Sequence, residues 1–279
     1  MRLLRIAVAA SLLTAVDDAP AEAQGGRRRG GGFPGFGNAD EFYTPPDFHG
    51  NPLYDGRFTF ARIKYRGYLH WSGREGPGWS HDYPDAEQNF TKILRDISVV
   101  RPFVEAGPIV GSAVVALDDP ALFKYPVSYM SEPGGWQPSD KEIAGFRSYL
   151  LKGGFMIFDD FREGWQGNYD FSNLKEHVAR AMPKARWIEL TGKEPIFNSF
   201  FKIDLKAAVS STSAYGTRLP SYWGIYEDND PKKRLMLIAN VDNDIGEAWQ
   251  WSASGFVPIS AANETYKLGV NYVIYALTH

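Results

Sequence analysis

The sequence predicts an α/β domain built on a mostly parallel three-layer sheet that ends in a C-terminal hairpin and helix. Short apolar runs of the fully buried strand type, SAVVALDD (112–119) and FMIFDDF (155–161), alternate with amphipathic segments of helical period. Helix start and stop signals fall between these runs. With 15% aromatic residues in the chain, the roughly 220 residues after position 57 suffice for one sizeable core.

Taken in order, FTFARIKY (58–65) reads as a strand and PDAEQNFTKILRDIS (84–98) as a helix. Pro84 stands at its first position, where a missing N–H costs nothing. SAVVALDD follows as a buried strand. Ser139 and Glu142 then form a capping box, hydroxyl and carboxylate serving amides that a helix start leaves free, and Gly153 ends that helix. FMIFDDF is a second buried strand, SNLKEHVARAM (172–182) a helix and RWIEL (186–190) a strand. Residues 222–241 read as a hairpin closed by 228–233, and TYKLGVNYVIYALT (265–278) as the last helix with Leu268, Val273 and Leu277 inward. Apolar strands separated by amphipathic helices imply a sheet covered on both faces.

Two segments of different character precede this 58–279 domain. Arg2 and Arg5, the apolar stretch 6–16 and Ala21-Glu22-Ala23 make residues 1–23 a signal peptide cleaved after Ala23. The apolar stretch is too short to span a hydrocarbon core comfortably. Residues 24–57 read as a Gly/Arg-rich tether containing GGRRRGGGFPGFG, which buries too little apolar area to fold; contact of Arg27, Arg28 and Arg29 with anionic lipid or cell-wall polymer is the other reading. The chain has 0 Cys, hence neither a disulfide framework nor a lipid-anchoring cysteine. The net charge of −3, or −2 once residues 1–23 are removed with their two positive and three negative charges, argues against a nucleic-acid partner. A periplasmic or secreted bacterial domain, with no membrane span after cleavage, is expected.

Ligands of such sheets bind beyond the carboxyl ends of the strands, where strand order reverses. VVALDD and FMIFDD each end a strand on paired aspartates, so Asp118, Asp119, Asp159 and Asp160 are expected at one edge. Asp119 precedes Pro120 and reads more simply as a helix N-cap. Asp159 and Asp160 are candidates for acid–base chemistry or for a divalent cation held by oxygen ligands. The stretch GWSHDYPDAEQNF (78–90) adds Trp79, Ser80, His81, Asp82 and Tyr83 beside a helix entry. Ser80, His81 and Asp82 are consecutive, and consecutive side chains diverge, so they are no nucleophile triad. Asp85 and Glu87 suit the positive end of the helix dipole, with Trp79 as an aromatic lid. Phosphate-loop and dinucleotide motifs are absent, and residues 242–247 read as a turn rather than a calcium loop.

Together WSHDYPDAEQNF, DDPALFKYPVSYM, EIAGFRSYLLKGGFMIFDDF, EPIFNSFFKI, RLMLIANVDND and LGVNYVIYALT resemble the bacterial domain-of-unknown-function 4159 family over nearly all of 58–279. The resemblance implies a flavodoxin-like, class I glutamine amidotransferase-like fold and no particular reaction. In the amidotransferase-like group a cysteine nucleophile follows the buried strand, and Asp159 or Asp160 stands at that place here. Without cysteine no thioester forms, so amidotransferase activity is not expected.

Three functions follow. The preferred one is a non-catalytic envelope module binding a glycan, peptide or envelope protein through Trp79, Ser80, Asp82, Tyr83, Asp118, Asp159 and Asp160. The second is a hydrolase using Asp159 or Asp160 with Asp82 or His81, assisted by a divalent cation; no other cofactor is expected. The third is a structural part of an envelope assembly.

Overall fold

The structure is a computed structural model that describes residues 44–45, 47–67, 78–163, 169–206 and 219–279; the expected signal peptide and the arginine tract lie outside them. The strands are β1 (Phe60–Lys64), β2 (Glu105–Ala106), β3 (Ile109–Val110), β4 (Ser112–Ala116), β5 (Val127–Ser131), β6 (Phe155–Phe161), β7 (Ile188–Leu190), β8 (Ser221–Tyr226) and β9 (Leu235–Val241). The helices are α1 (Asp85–Ile97), α2 (Asp140–Leu151), α3 (Asp170–Ala181), α4 (Ile245–Gln250) and α5 (Ile259–Thr278). Seven strands form one sheet in the order β4-β1-β5-β6-β9-β8-β7. The first five are parallel, while β7 and β8 pair antiparallel. β2 and β3 form a separate antiparallel pair.

The period of two along each strand divides the core between the faces. In β6, Phe155 and Ile157 join the cluster containing Phe90 of α1, Trp249 of α4 and Leu268 of α5, while Met156 and Phe158 join Phe146 of α2 and Leu174 of α3. Both faces are covered, which is why β6 reads as a continuous apolar run. The crossover after β1 therefore runs on one face and the crossover after β5 on the other. Strand order reverses at β1, and sheets of this kind place their ligand crevice beyond the strand ends at such a point, here β1 and β5.

Most predicted elements form where expected. The Ser139 box is complete, with Glu142 N donating to Ser139 Oγ at 3.2 Å and Ser139 N to Glu142 Oε2 at 2.8 Å, and Gly153 takes φ +103° after α2. The 222–241 hairpin pairs as β8 and β9. Several details differ. Pro84 precedes α1 instead of opening it, and α5 starts at Ile259, after Pro258, six residues before the predicted helix. Leu277 is half exposed at the end of α5 rather than inward. β5 was not among the predicted strands, because two serines interrupt its apolar pattern; both are buried in the sheet. Part of the expected tether lies along the free edge of β4, where Asn51 accepts from Val114 N at 2.7 Å and donates to Val114 O at 2.9 Å. That pairing occupies backbone groups of an edge strand that would otherwise stay open.

At the centre of β1 sits a buried arginine. Arg62 Nε donates to Glu87 of α1 at 2.5 Å, and its Nη1 donates to the carbonyls of His81 at 3.0 Å and Trp79 at 3.4 Å. The guanidinium lies 4.7 Å from the centre of the Tyr129 ring. Burial pushes the Glu87 carboxyl above its ordinary range although Arg62 opposes the shift. Removing one partner of such a pair strands the other in the core. We expect Glu87→Gln to lower unfolding free energy by about 3–5 kcal/mol and Arg62→Met, Glu87→Leu together to restore most of it. Urea unfolding of both variants measures this, and a double variant as unstable as the single one contradicts it.

Candidate functional site

The crevice is built by three irregular pieces of chain. A 3₁₀ turn at Gly78–Ser80 leads into residues 81–84, and Arg62 holds the carbonyls of Trp79 in the turn and His81 after it. β5 ends in Glu132. β6 breaks its register with β9 between Phe158 and Phe161, and Asp160 lies in the break. Asp82 (φ +63°), Glu132 (φ +49°) and Asp160 (φ +56°) all occupy the left-handed region. Such strained acids cluster at functional sites because surrounding structure must hold them there.

His81 is the hub. Its Nδ1 lies 2.7 Å from Asp160 Oδ2 and 3.7 Å from Glu132 Oε1, and its Nε2 lies 3.8 Å from Asp82 Oδ1. The His81 side chain is 25% exposed and that of Asp82 0%. On the far side Arg162 Nη1 is 3.6 Å from Asp160 Oδ1, and Nη2 is 4.0 Å from Asp244 Oδ2. Among the described residues neither Asp82 oxygen has a hydrogen-bond partner.

Burial and mutual repulsion set the protonation of these groups. For His81 burial opposes charge, but the Asp160 hydrogen bond and the charges of Asp82, Asp160 and Glu132 outweigh it and raise its pKa to about 10. Burial, then the Asp160 charge, push Glu132 up to about 8. Burial likewise holds Asp82 and Asp244 well above the ordinary carboxylate range, with Asp160 adding to both. Burial also works against the Asp160 anion, yet the hydrogen bond and charge of His81 and the charge of Arg162 bring it below the usual range.

The two aspartates that end β6 have separate roles. Asp159 is fully buried and accepts from Tyr129 Oη at 2.7 Å, Asn240 Nδ2 at 2.9 Å, and the amides of Ile245 at 2.9 Å and Gly246 at 3.2 Å. Burial raises its pKa, and the bonds from Tyr129 and Asn240 hold it down in part. Its lone pairs are committed to fastening β6 to α4, which corrects the expectation of a catalytic or metal-binding Asp159. Asp160 faces His81.

Other expected site residues are also relocated. Trp79 is 1% exposed within the core, so it is no ligand-facing lid, and Ser80 is buried as well. Tyr83 is partly buried, 6.4 Å from the Phe48 ring, and burial pushes its phenol up. Glu87 serves Arg62 rather than the helix dipole alone. Asp118 is exposed at the end of β4, lining a hollow of about 320 Å³ with Lys64, Arg66 and Glu142. Two strands stand between β4 and β6, so three strand spacings, about 14 Å, separate that hollow from Asp160. Asp119 accepts from Ala121 N at 2.8 Å, as a cap should. The 242–247 segment is a turn only at first: Asp244 accepts from Glu247 N at 2.8 Å and starts α4. Glu132, Arg162, Asp244 and Arg62 were not predicted as site residues. Only Arg62 had a signal, a charge centred in an apolar strand.

A doubly wound α/β domain with an acidic, histidine-centred crevice at its switch point is thus defined. A family model described as a domain of unknown function (DUF4159) matches residues 59–277, and the chain belongs to that family. No curated protein matches it.

The protonation pattern predicts the pH dependence of stability. His81, raised from 6.5 to about 10, and Glu132, raised from 4.5 to about 8, keep protons in the fold that the unfolded chain releases. Their contribution is complete below the unfolded values and lost as pH rises through the folded ones. Asp160, lowered, contributes above 3.8 and loses its contribution only as pH falls below that. The thermal midpoint should therefore decline from about pH 5 to pH 10, and His81→Gln should remove the upper part of the decline. Calorimetry across this range tests it; a flat wild-type profile above pH 6.5 contradicts it.

Proposed function

We propose that the protein is an exported envelope domain, periplasmic or secreted, that binds a positively charged group of an envelope ligand in the crevice around His81, Asp82 and Asp160 without turning it over. The observation that carries this reading is the Asp82 carboxylate, buried and with no hydrogen-bond partner among the described residues, in a group where Asp82, Glu132, Asp160 and Asp244 gather around His81 and Arg162. An incoming cation supplies the charge these acids otherwise obtain by holding protons. Amidotransferase chemistry has no nucleophile in a chain with 0 Cys. The engaged Asp159 supports binding over hydrolysis, since one of the two acids at the end of β6 is committed to Tyr129, Asn240 and the first amides of α4. The hydrolase reading keeps one observation in its favour, the partly exposed His81 against Asp160, and it requires turnover that Asp160→Asn abolishes.

Fluorescence titration with tri-lysine, tri-alanine and tri-glutamate peptides tests the binding reading. Tri-lysine alone should bind, and Asp82→Asn with Asp160→Asn should weaken it by about tenfold or more, the worth of a charged hydrogen bond. Asp159→Asn should instead lower stability by about 1–3 kcal/mol, because an amide cannot accept from every donor that reaches the carboxylate. Equal binding of all three peptides, or binding indifferent to the double change, contradicts the reading.

Export makes a separate prediction. N-terminal sequencing of protein recovered outside the cytoplasm should begin at Gln24, and an intact Met1 terminus there contradicts cleavage after Ala23.

A further inference from the structure

We propose that His81 and Asp82, with Asp160 supporting the histidine from behind, form a site for one divalent transition-metal ion, zinc or manganese in class. This deepens the binding reading, on which it rests, by naming the cation. One ligand atom from each of the three residues lies within 4.8 Å of the other two. Two bonds of about 2.1 Å meeting at one ion span at most about 4.2 Å. The 3.8 Å between His81 Nε2 and Asp82 Oδ1 falls inside that limit.

A second, independent observation points to a ligand. The Asp82 side chain is 0% exposed, and among the described residues both its oxygens lack a hydrogen-bond partner. One oxygen faces His81, and the other lies close to Gly246 of α4, where a Cβ would stand 2.7 Å from it. A carboxylate withdrawn from water in this way is stabilised by a paired charge or a metal. The left-handed backbone of Asp82 and the Arg62 bonds to the carbonyls of Trp79 and His81 hold it there.

The donor set selects the ion. One imidazole nitrogen with carboxylate oxygens and no sulfur suits zinc or manganese, whereas calcium and magnesium take shells of oxygen alone. The support expected of a metal-bound histidine is present: Asp160 Oδ2 receives the Nδ1 proton at 2.7 Å and turns Nε2 towards Asp82. Asp160 Oδ1 stays on the crevice side, 3.6 Å from Arg162 Nη1.

The test is equilibrium dialysis of the full chain, stripped with EDTA, against zinc, manganese, magnesium and calcium, with bound metal counted by mass spectrometry. One zinc or manganese per chain is expected, with calcium and magnesium held far more weakly. Asp82→Asn and His81→Gln should each weaken retention by at least the 10- to 100-fold that losing even a supporting partner costs. Asp118→Asn, across the sheet, should leave it unchanged. The wild-type count decides whether an ion is held even if a variant fails to fold. Retention of no ion, or retention unaffected by both site changes, overturns the proposal. Tri-lysine binding in metal-free buffer separates the two readings: if it persists without metal retention, the metal site alone fails, and if neither occurs, both fail.

Discussion

Everything at the crevice depends on a guanidinium in the middle of a strand. Arg62 is buried on β1, and a charge there is tolerable only when its donors are engaged and a counter-charge stands beside it. Glu87 supplies that charge from α1, two carbonyls of the 78–84 segment take Nη1, and the Tyr129 ring takes the guanidinium face. Strand, turn and helix become one unit. Apolar residues of similar volume could fill the same space with no loss of stability. They could not fix an irregular turn by its carbonyls, and that turn carries His81 and Asp82.

A second constraint acts at the end of β6. In an unbroken strand Asp159 and Asp160 would point to opposite faces, one to each layer of helices. The register break against β9 lets Asp160 take a left-handed backbone and meet His81, while Asp159 turns to the first amides of α4. One acid fastens the sheet to a helix and the other lines the crevice. Gly246 belongs to this arrangement, since a Cβ there would lie 2.6 Å from Tyr129 Oη. Adjacent acids of one strand end thus have separate roles, and likeness of fold carries no chemistry with it.

What was legible in the sequence follows from which signals are local. β6, the Ser139 capping box, the Gly153 stop and the β8–β9 hairpin each announce themselves through spacing or composition over a few residues. β5 does not, because Ser128 and Ser131 interrupt its apolar pattern and are accommodated only by the sheet around them. The candidate site was half legible. His81, Asp82 and Asp160 could be named from their neighbourhoods, but Asp159 could not be told from Asp160 without the register break. Glu132 and Asp244 are ordinary acids in sequence and acquire their environment from burial and from Asp160 and Arg162. Trp79 was misplaced because a tryptophan among polar residues looks exposed, whereas the core that receives it is assembled from distant segments.

Stability and function are coupled in this design. The crevice gathers acids whose mutual repulsion and burial favour the neutral form, on backbone that L-residues adopt at a cost. Arg62, Asp159 and the two covering layers keep the chain folded around a locally unfavourable arrangement. On the proposed binding reading, a ligand bearing positive charge would remove the repulsion and bind only the folded state, and so would stabilise the whole domain through the same residues that recognise it. Neutralising those acids by substitution would relieve the repulsion permanently and, on the same reading, abolish the recognition, the trade expected where a binding surface is held in place by the fold around it.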